Sequence, residues 1–210
     1  MENLRKLVSA VLAGLLIGMG GTVFLSQENP ALDSFLFAVG LFTIVVFRLQ
    51  LYTGKVGYIP FNKPAYLFEL LITWLGNLMG TGLAALMVRS SRIFTPAMAE
   101  RVSGMAAAKL GDSLLSLFCL AVFCGLLMFI AVDSFRNQQG SAVKVIGVFV
   151  PVMVFILSGF EHVIADMFYF FLADAWSGRC ALVTLVLTLG NSAGGLLIPL
   201  YLKLFKERTE

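Results

Sequence analysis

Four stretches of this 210-residue chain carry no charged residue: Leu7–Gln27, Leu70–Val88, Ser113–Val132 and Ala181–Leu202. At about 1.5 Å of rise per residue, each can carry an α-helix through about 30 Å of hydrocarbon. Two further stretches are apolar but interrupted. Ser34–Phe47 stops at Arg48 and Lys55, and Val145–Phe160 runs into Glu161 and His162. Only 13% of residues are charged, against about 25% in a soluble domain. The chain therefore reads as an all-α integral membrane protein with six transmembrane helices, four clean and two broken. It forms a single transmembrane domain over 1–210. Arg5 and Lys6 before the first run suggest a signal peptide, but the run exceeds the usual apolar core of about 7–15 residues and lacks an A-x-A site.

An internal repeat organises the spans. Leu75-Gly76-Asn77-x-x-Gly80 in the third returns as Leu189-Gly190-Asn191-x-x-Gly194 in the sixth. The interrupted spans are the second and fifth, the middle members of two triplets. Three helices per half is an odd number, so the second half, about 110–205, enters the membrane inverted relative to the first, about 1–89. Paired broken helices in an inverted repeat point to a substrate path near the midplane. Gly54 and Gly159 are the candidate break points, because glycine tolerates unusual backbone angles. Gly14 and Gly18 are spaced for close helix packing, and Met105–Lys109 suits a short surface helix. With six spans, Arg5, Lys6, Lys63, Arg136, Lys144, Lys203, Lys206 and Arg208 share the side of the termini. Arg89, Arg92, Arg101, Lys109 and Arg179 lie opposite. This bias favours cytoplasmic termini in the cell membrane.

The chemistry concentrates in Phe155–Phe168, where Glu161, the only histidine (His162) and Asp166 enter an apolar span. Ionisable groups at membrane depth are costly and by default mark a functional path. Other readings of these residues are weaker. Ser158 and His162 are four apart, as a serine nucleophile and its base would be on a continuous helix, but no oxyanion hole accompanies them. One histidine with two carboxylates is a poor metal site. The Asn-Pro-Ala motifs of a neutral-solute, aquaporin-like channel are absent. Cys119, Cys124 and Cys180 read as packing residues. No enzyme activity, metal, cofactor or nucleic-acid partner is expected.

Ser158-Gly159-Phe160-Glu161-His162-x-x-Ala165-x-Met167-Phe168, Leu51-Tyr52-Thr53-Gly54 and the two Leu-Gly-Asn segments resemble the formate/nitrite transporter family. That resemblance implies an aquaporin-like protomer assembled as a homopentamer in the bilayer, passing small monovalent weak-acid anions. It implies His162 and Thr53 at the pore centre, and a cytoplasmic-side constriction of Phe37, Leu41 and Phe155. Leu51, Tyr52 and Met128 would surround the periplasmic one, and Lys109 would attract anions. Glu161, Lys55, Gly54, Asp166, Asn77 and Asn191 would support the loops, Glu161 by accepting from amides freed at the break. His162 would either protonate the anion or act only as a neutral donor while water supplies the proton. Asp166 and Lys55 stand where the family commonly has Asn, Gln50 where it has an acid, Gly125 where it has a pore-lining Asn, and Arg48 is unusual. These departures bring in the family's hydrosulfide-conducting branch, and Lys55 and Asp166 are expected to pair across the repeat.

Overall fold

The computed structural model describes residues 1–26 and 28–205, which leaves out Gln27 of the first run and Lys206 and Arg208 of the charge bias. Eight α-helices follow in order: α1 (Glu2–Ser26), α2 (Pro30–Val46), α3 (Tyr66–Arg89), α4 (Pro96–Gly111), α5 (Leu114–Asn137), α6 (Ser141–Leu157), α7 (Val163–Leu172) and α8 (Gly178–Phe205). A 3-10 turn, Val56–Phe61, lies between α2 and α3. The helices α1, α3, α5 and α8 are the four long enough and apolar enough to cross a membrane. The second span is α2 plus the 3-10 turn, and the fifth is α6 plus α7.

The starts are written locally. Asn29 accepts from the Ala31 and Leu32 amides at 3.1 and 3.2 Å, with Pro30 opening α2. Thr95 and Ser113 cap α4 and α5 in the same way. These side chains take up amides that a helix start leaves without partners.

The two halves repeat with an offset of 111 residues through their first two spans, which carries Ala10 to Ala121, Arg48 to Gly159 and Tyr52 to Val163, and of 114 in the third, which carries Asn77 to Asn191. In the first half α1 packs on α3, and in the second α5 packs on α8. Both pairs are in near-backbone contact. A Cβ added at Gly80 would stand 2.1 Å from the Val11 carbonyl, and one at Gly194 would stand 1.9 Å from the Val122 carbonyl. Van der Waals packing of small residues is what joins helices in lipid, and these glycines make it possible. The halves then exchange their broken middles: α7 packs on α3, and the 3-10 turn packs on α8.

Both breaks use one device. The Leu49 amide reaches back to the Ile44 carbonyl at 2.9 Å, and the Phe160 amide reaches back to that of Phe155 at 2.9 Å. Arg48 (φ 54°) and Gly159 (φ 69°) are the left-handed residues of these two helix ends. The first break thus turns on Arg48 and not on Gly54, as the glycine pattern had suggested. Gly54 serves close approach instead, since a Cβ there would meet Val132 Cγ2 at 3.0 Å. Beyond the break the second span resumes only as the six-residue 3-10 segment Val56–Phe61. The surface helix α4 is longer than Met105–Lys109, because Met98, Val102 and Ala106 bury a stripe one helical turn apart.

Candidate functional site

Breaking two helices inside an apolar bundle frees backbone groups that lipid cannot satisfy. The two repeat asparagines take them up. The Asn77 side-chain amide donates to the Ala10 and Gln50 carbonyls at 2.8 Å each, and its oxygen accepts from the Tyr52 amide at 2.8 Å. The Asn191 side-chain amide donates to the Ala121 and Glu161 carbonyls at 2.8 Å each, and its oxygen accepts from Val163 at 2.9 Å. Each asparagine ties its own helix to a neighbour and to one break.

The second clamp fixes His162 in the β region, as the residue capping α7. Ring Nδ1 accepts from the Ala165 amide at 3.2 Å, and Nε2 lies 2.8 Å from Thr53 Oγ1. A backbone amide can only donate, so in the neutral ring the proton is assigned to Nε2, which donates to Thr53. The Thr53 hydroxyl hydrogen is then left for another acceptor. Both side chains are buried.

Phe155 stacks on His162 with ring centroids 5.6 Å apart, and Phe37 meets Phe155 edge-on at 5.9 Å. These rings line a cavity of about 120 Å³ together with His162, Asp166, Lys109 and Tyr169. Phe24, near the end of α1, and Met105 of α4 complete its outer wall. The cavity therefore opens toward the side of α4, away from the termini. At the other side Lys6 pairs with Glu69 at 2.8 Å, and Lys203 donates to the Pro60 carbonyl. The Phe37–Phe155 pair thus lies on the side opposite the termini, whereas the expectation places it on the cytoplasmic side together with the termini. Leu41 is buried in the core one turn beyond Phe37. Leu51 and Met128 are buried as well, and the Tyr52 hydroxyl lies 2.8 Å from Ser192 Oγ. Phe129 and Val132, just past Met128, pack at Gly57 and Gly54 on the way to the side of the termini. This group is accordingly not the one farther from the termini.

Several electrostatic expectations change. Lys109 does not stand as an open positive charge: its ammonium pairs with Glu161 and, at 2.9 Å, with Asp166. Burial alone lowers the Lys109 pKa, and the carboxylates of Asp166 and Glu161 outweigh it to raise the value overall. Glu161 does not collect freed amides, since Asn191 and His162 already take those of Val163 and Ala165. Lys55 does not reach Asp166. It donates to Gln50, stands 4.0 Å from Glu69 and lies over the Tyr66 ring at 5.3 Å. Gly125 faces α8, where a Cβ would stand 2.1 Å from the Asn191 carbonyl, so it does not line the path. Ser158 caps the end of α6 and is exposed, so the break that positions His162 also dissolves the serine–histidine face.

One feature of the structure is not visible in the sequence motifs. Arg48, Arg136 and Lys144 line a cavity of about 390 Å³ with Val45 and Phe135, and no carboxylate is among these lining residues. Val45, Arg48 and Phe135 are the repeat positions of Ile156, Gly159 and Phe24, which line the His162 cavity. The offset could have paired Arg48 with Gly159, but Arg136 and Lys144 look like ordinary loop cations in the sequence.

The family profile for formate/nitrite transporters matches residues 1–205, nearly the whole chain. The chain belongs to the formate/nitrite transporter family. It is 27% identical over 187 residues to the nitrite transporter NirC of Escherichia coli (strain K12), covering 82% of this chain and 69% of that one. It is 29% identical over 187 residues to a probable formate transporter of Methanothermobacter thermautotrophicus, covering 76% and 68%. Among solved structures, a pentameric formate channel with formate bound matches with a TM-score of 0.83 at 21% identity, over 99% of this chain and 98% of that one. An ion channel of the same family gives 0.86 at 24% identity, over 97% and 90%. These two establish the shared fold. The chain is thus a multi-pass membrane protein of a transporter family and not an enzyme.

Proposed function

We propose that this protein passes small monovalent weak-acid anions (formate, nitrite or hydrosulfide) through each protomer of a pentamer. The cell membrane is its site, with the termini in the cytoplasm. The observation that carries the reading is the Thr53–His162 hydrogen bond at the floor of a cavity walled by Phe37 and Phe155. The pentamer rests on the solved formate channel of the same fold, and the orientation on the lysine and arginine bias.

An ion crosses apolar rings at high cost, whereas its neutral acid crosses far more cheaply. Thr53 accepts the His162 Nε2 proton and so offers its own hydroxyl hydrogen to an anion at the centre. His162 works there as a neutral donor. Protonating its second nitrogen would break the Nδ1 bond to the Ala165 amide and leave two donors facing each other at the break. The proton that neutralises the anion therefore comes from elsewhere. Anion attraction is assigned to Arg48, Arg136 and Lys144 on the side of the termini, because Lys109 is held by two carboxylates.

Flux of formate, nitrite, hydrosulfide and chloride into liposomes containing the protein, over a pH series, tests this directly. Weak-acid anions are expected to pass with chloride excluded, and the ranking names the substrate. Chloride passing as fast as formate would contradict the mechanism, and no flux from folded protein would remove the function.

A further inference from the structure

Two carboxyls, Asp166 on the wall of the His162 cavity and Glu161 beside it, converge on the single ammonium of Lys109. Asp166 is buried to 2% exposure and lines the cavity. Its Oδ1 is engaged by Lys109 at 2.9 Å, while Oδ2 receives no hydrogen bond from the described residues. If both carboxyls were ionised, the vestibule would carry one uncompensated negative charge beside His162, in a path built for anions. Two carboxylates that share a buried site do not ionise together without a second counter-charge.

We propose that Asp166 carries a proton on Oδ2 and is a substrate-binding residue, donating this hydrogen to an anion that enters from the side of α4. The proposal rests on the anion-path reading above. It explains three facts at once: the orphaned oxygen, the two-to-one ratio of carboxyls to ammonium, and the placement of Asp166 in the same cavity as His162. The anion then meets two neutral donors in sequence, the Asp166 carboxyl and the Thr53–His162 pair. Substrate recognition here is by hydrogen bonds from a neutral wall, which favours compact anions with oxygen or sulfur acceptors.

The groups around Asp166 are consistent with one bound proton. Lys109 faces it from α4, Glu161 and His162 from the break, and Tyr169 from its own helix; Cys124 of α5 and Cys180 of α8 are also near. The ionisable groups of α1 and α3 sit near their ends, where Lys6 pairs with Glu2 and Glu69, and Arg89 pairs with Asp174.

Two measurements on the full-length protein in lipid test the proposal. In infrared spectra at neutral pH, wild type should show the carbonyl stretch of a protonated carboxyl group. Asp166→Asn and Glu161→Gln should each remove it, because either leaves a single carboxylate to pair with Lys109, and Asp166→Glu should keep it at a shifted frequency. Absence of the band in wild type, its persistence in Asp166→Asn, or an unshifted band in Asp166→Glu would overturn the assignment. This readout needs no transport, so it stands whether or not the anion reading survives. In liposomes with formate as probe, Asp166→Asn keeps a neutral donor that cannot ionise. The ratio of its flux to that of wild type should rise by about tenfold from acid to alkali, where removing one full charge from a low-dielectric path has its largest effect. Asp166→Leu, with no donor, should pass less formate at every pH. Parallel pH profiles for wild type and Asp166→Asn would overturn the proposal.

Discussion

At the scale of single residues, the arrangement shows how strongly context sets the role of a charge. Lys109 reads in the sequence as a cation before a membrane helix, yet in the structure it sits between Glu161 and Asp166. Lys109→Met should leave the Glu161 carboxylate without its counter-ion and cost about 3–5 kcal/mol. Lys109→Met with Glu161→Gln should recover part of that loss, measured as thermal unfolding of the detergent-solubilised protein. Arg48 is the opposite case, a non-glycine residue in the left-handed region at φ 54° where its repeat partner is Gly159. A side chain there costs about 1–2 kcal/mol. Arg48→Gly should therefore stabilise the protein by roughly 1 kcal/mol while removing a cation from the basic cavity. A fall in melting temperature would show that the guanidinium contributes more than the backbone strain costs.

At the scale of elements, the two broken spans matter more than the four intact ones, and they were only partly legible. The charge-free runs correspond to α1, α3, α5 and α8, because a lipid-crossing helix is encoded by simple absence of charge. The twin Leu-Gly-Asn segments pointed to the clamps, and Asn77 and Asn191 make matching sets of three hydrogen bonds. The pairing of ions was not legible. Lys55 and Asp166 are repeat partners, but they do not meet: Lys55 stands near Glu69 of its own half, and Asp166 pairs with Lys109 of the connecting helix α4. Sequence spacing cannot say that α4 would fold back over α7 to deliver Lys109. The sidedness of the Phe37–Phe155 pair was missed as well, since resemblance names a constriction without fixing which helix ends surround it. Asn191→Ala should leave the Val163 amide and the Glu161 carbonyl at the break unpaired, at about 2–4 kcal/mol. The same substitution at Asn77 should cost a similar amount. Hydrogen exchange localised to residues 158–166 in Asn191→Ala, and to 48–56 in Asn77→Ala, would show that each clamp serves its own break.

At the scale of the whole molecule, the inverted repeat is symmetric in backbone and asymmetric in charge. Equivalent cavities lie on its two faces. One is floored by His162 with Lys109 neutralised, and the other is lined by Arg48, Arg136 and Lys144. Exposed charges act over about 8–10 Å at physiological salt, so the basic face should raise the local anion concentration in a salt-sensitive way. Replacing Arg48, Arg136 and Lys144 by Gln should lower formate flux several-fold at low ionic strength and scarcely at high. Equal loss at all salt concentrations would show that these residues act structurally. The central claim, however, is that Thr53 and His162 form the point every anion must pass. Formate flux in liposomes should be compared for wild type, Thr53→Ser and Thr53→Ala, each verified as folded. Thr53→Ser, which keeps the hydroxyl, should retain most of the flux. Thr53→Ala should lose about 10–100-fold, the effect of roughly 1–3 kcal/mol for a buried donor left unpaired. Undiminished flux in Thr53→Ala would contradict the account and place the anion path elsewhere in the bundle.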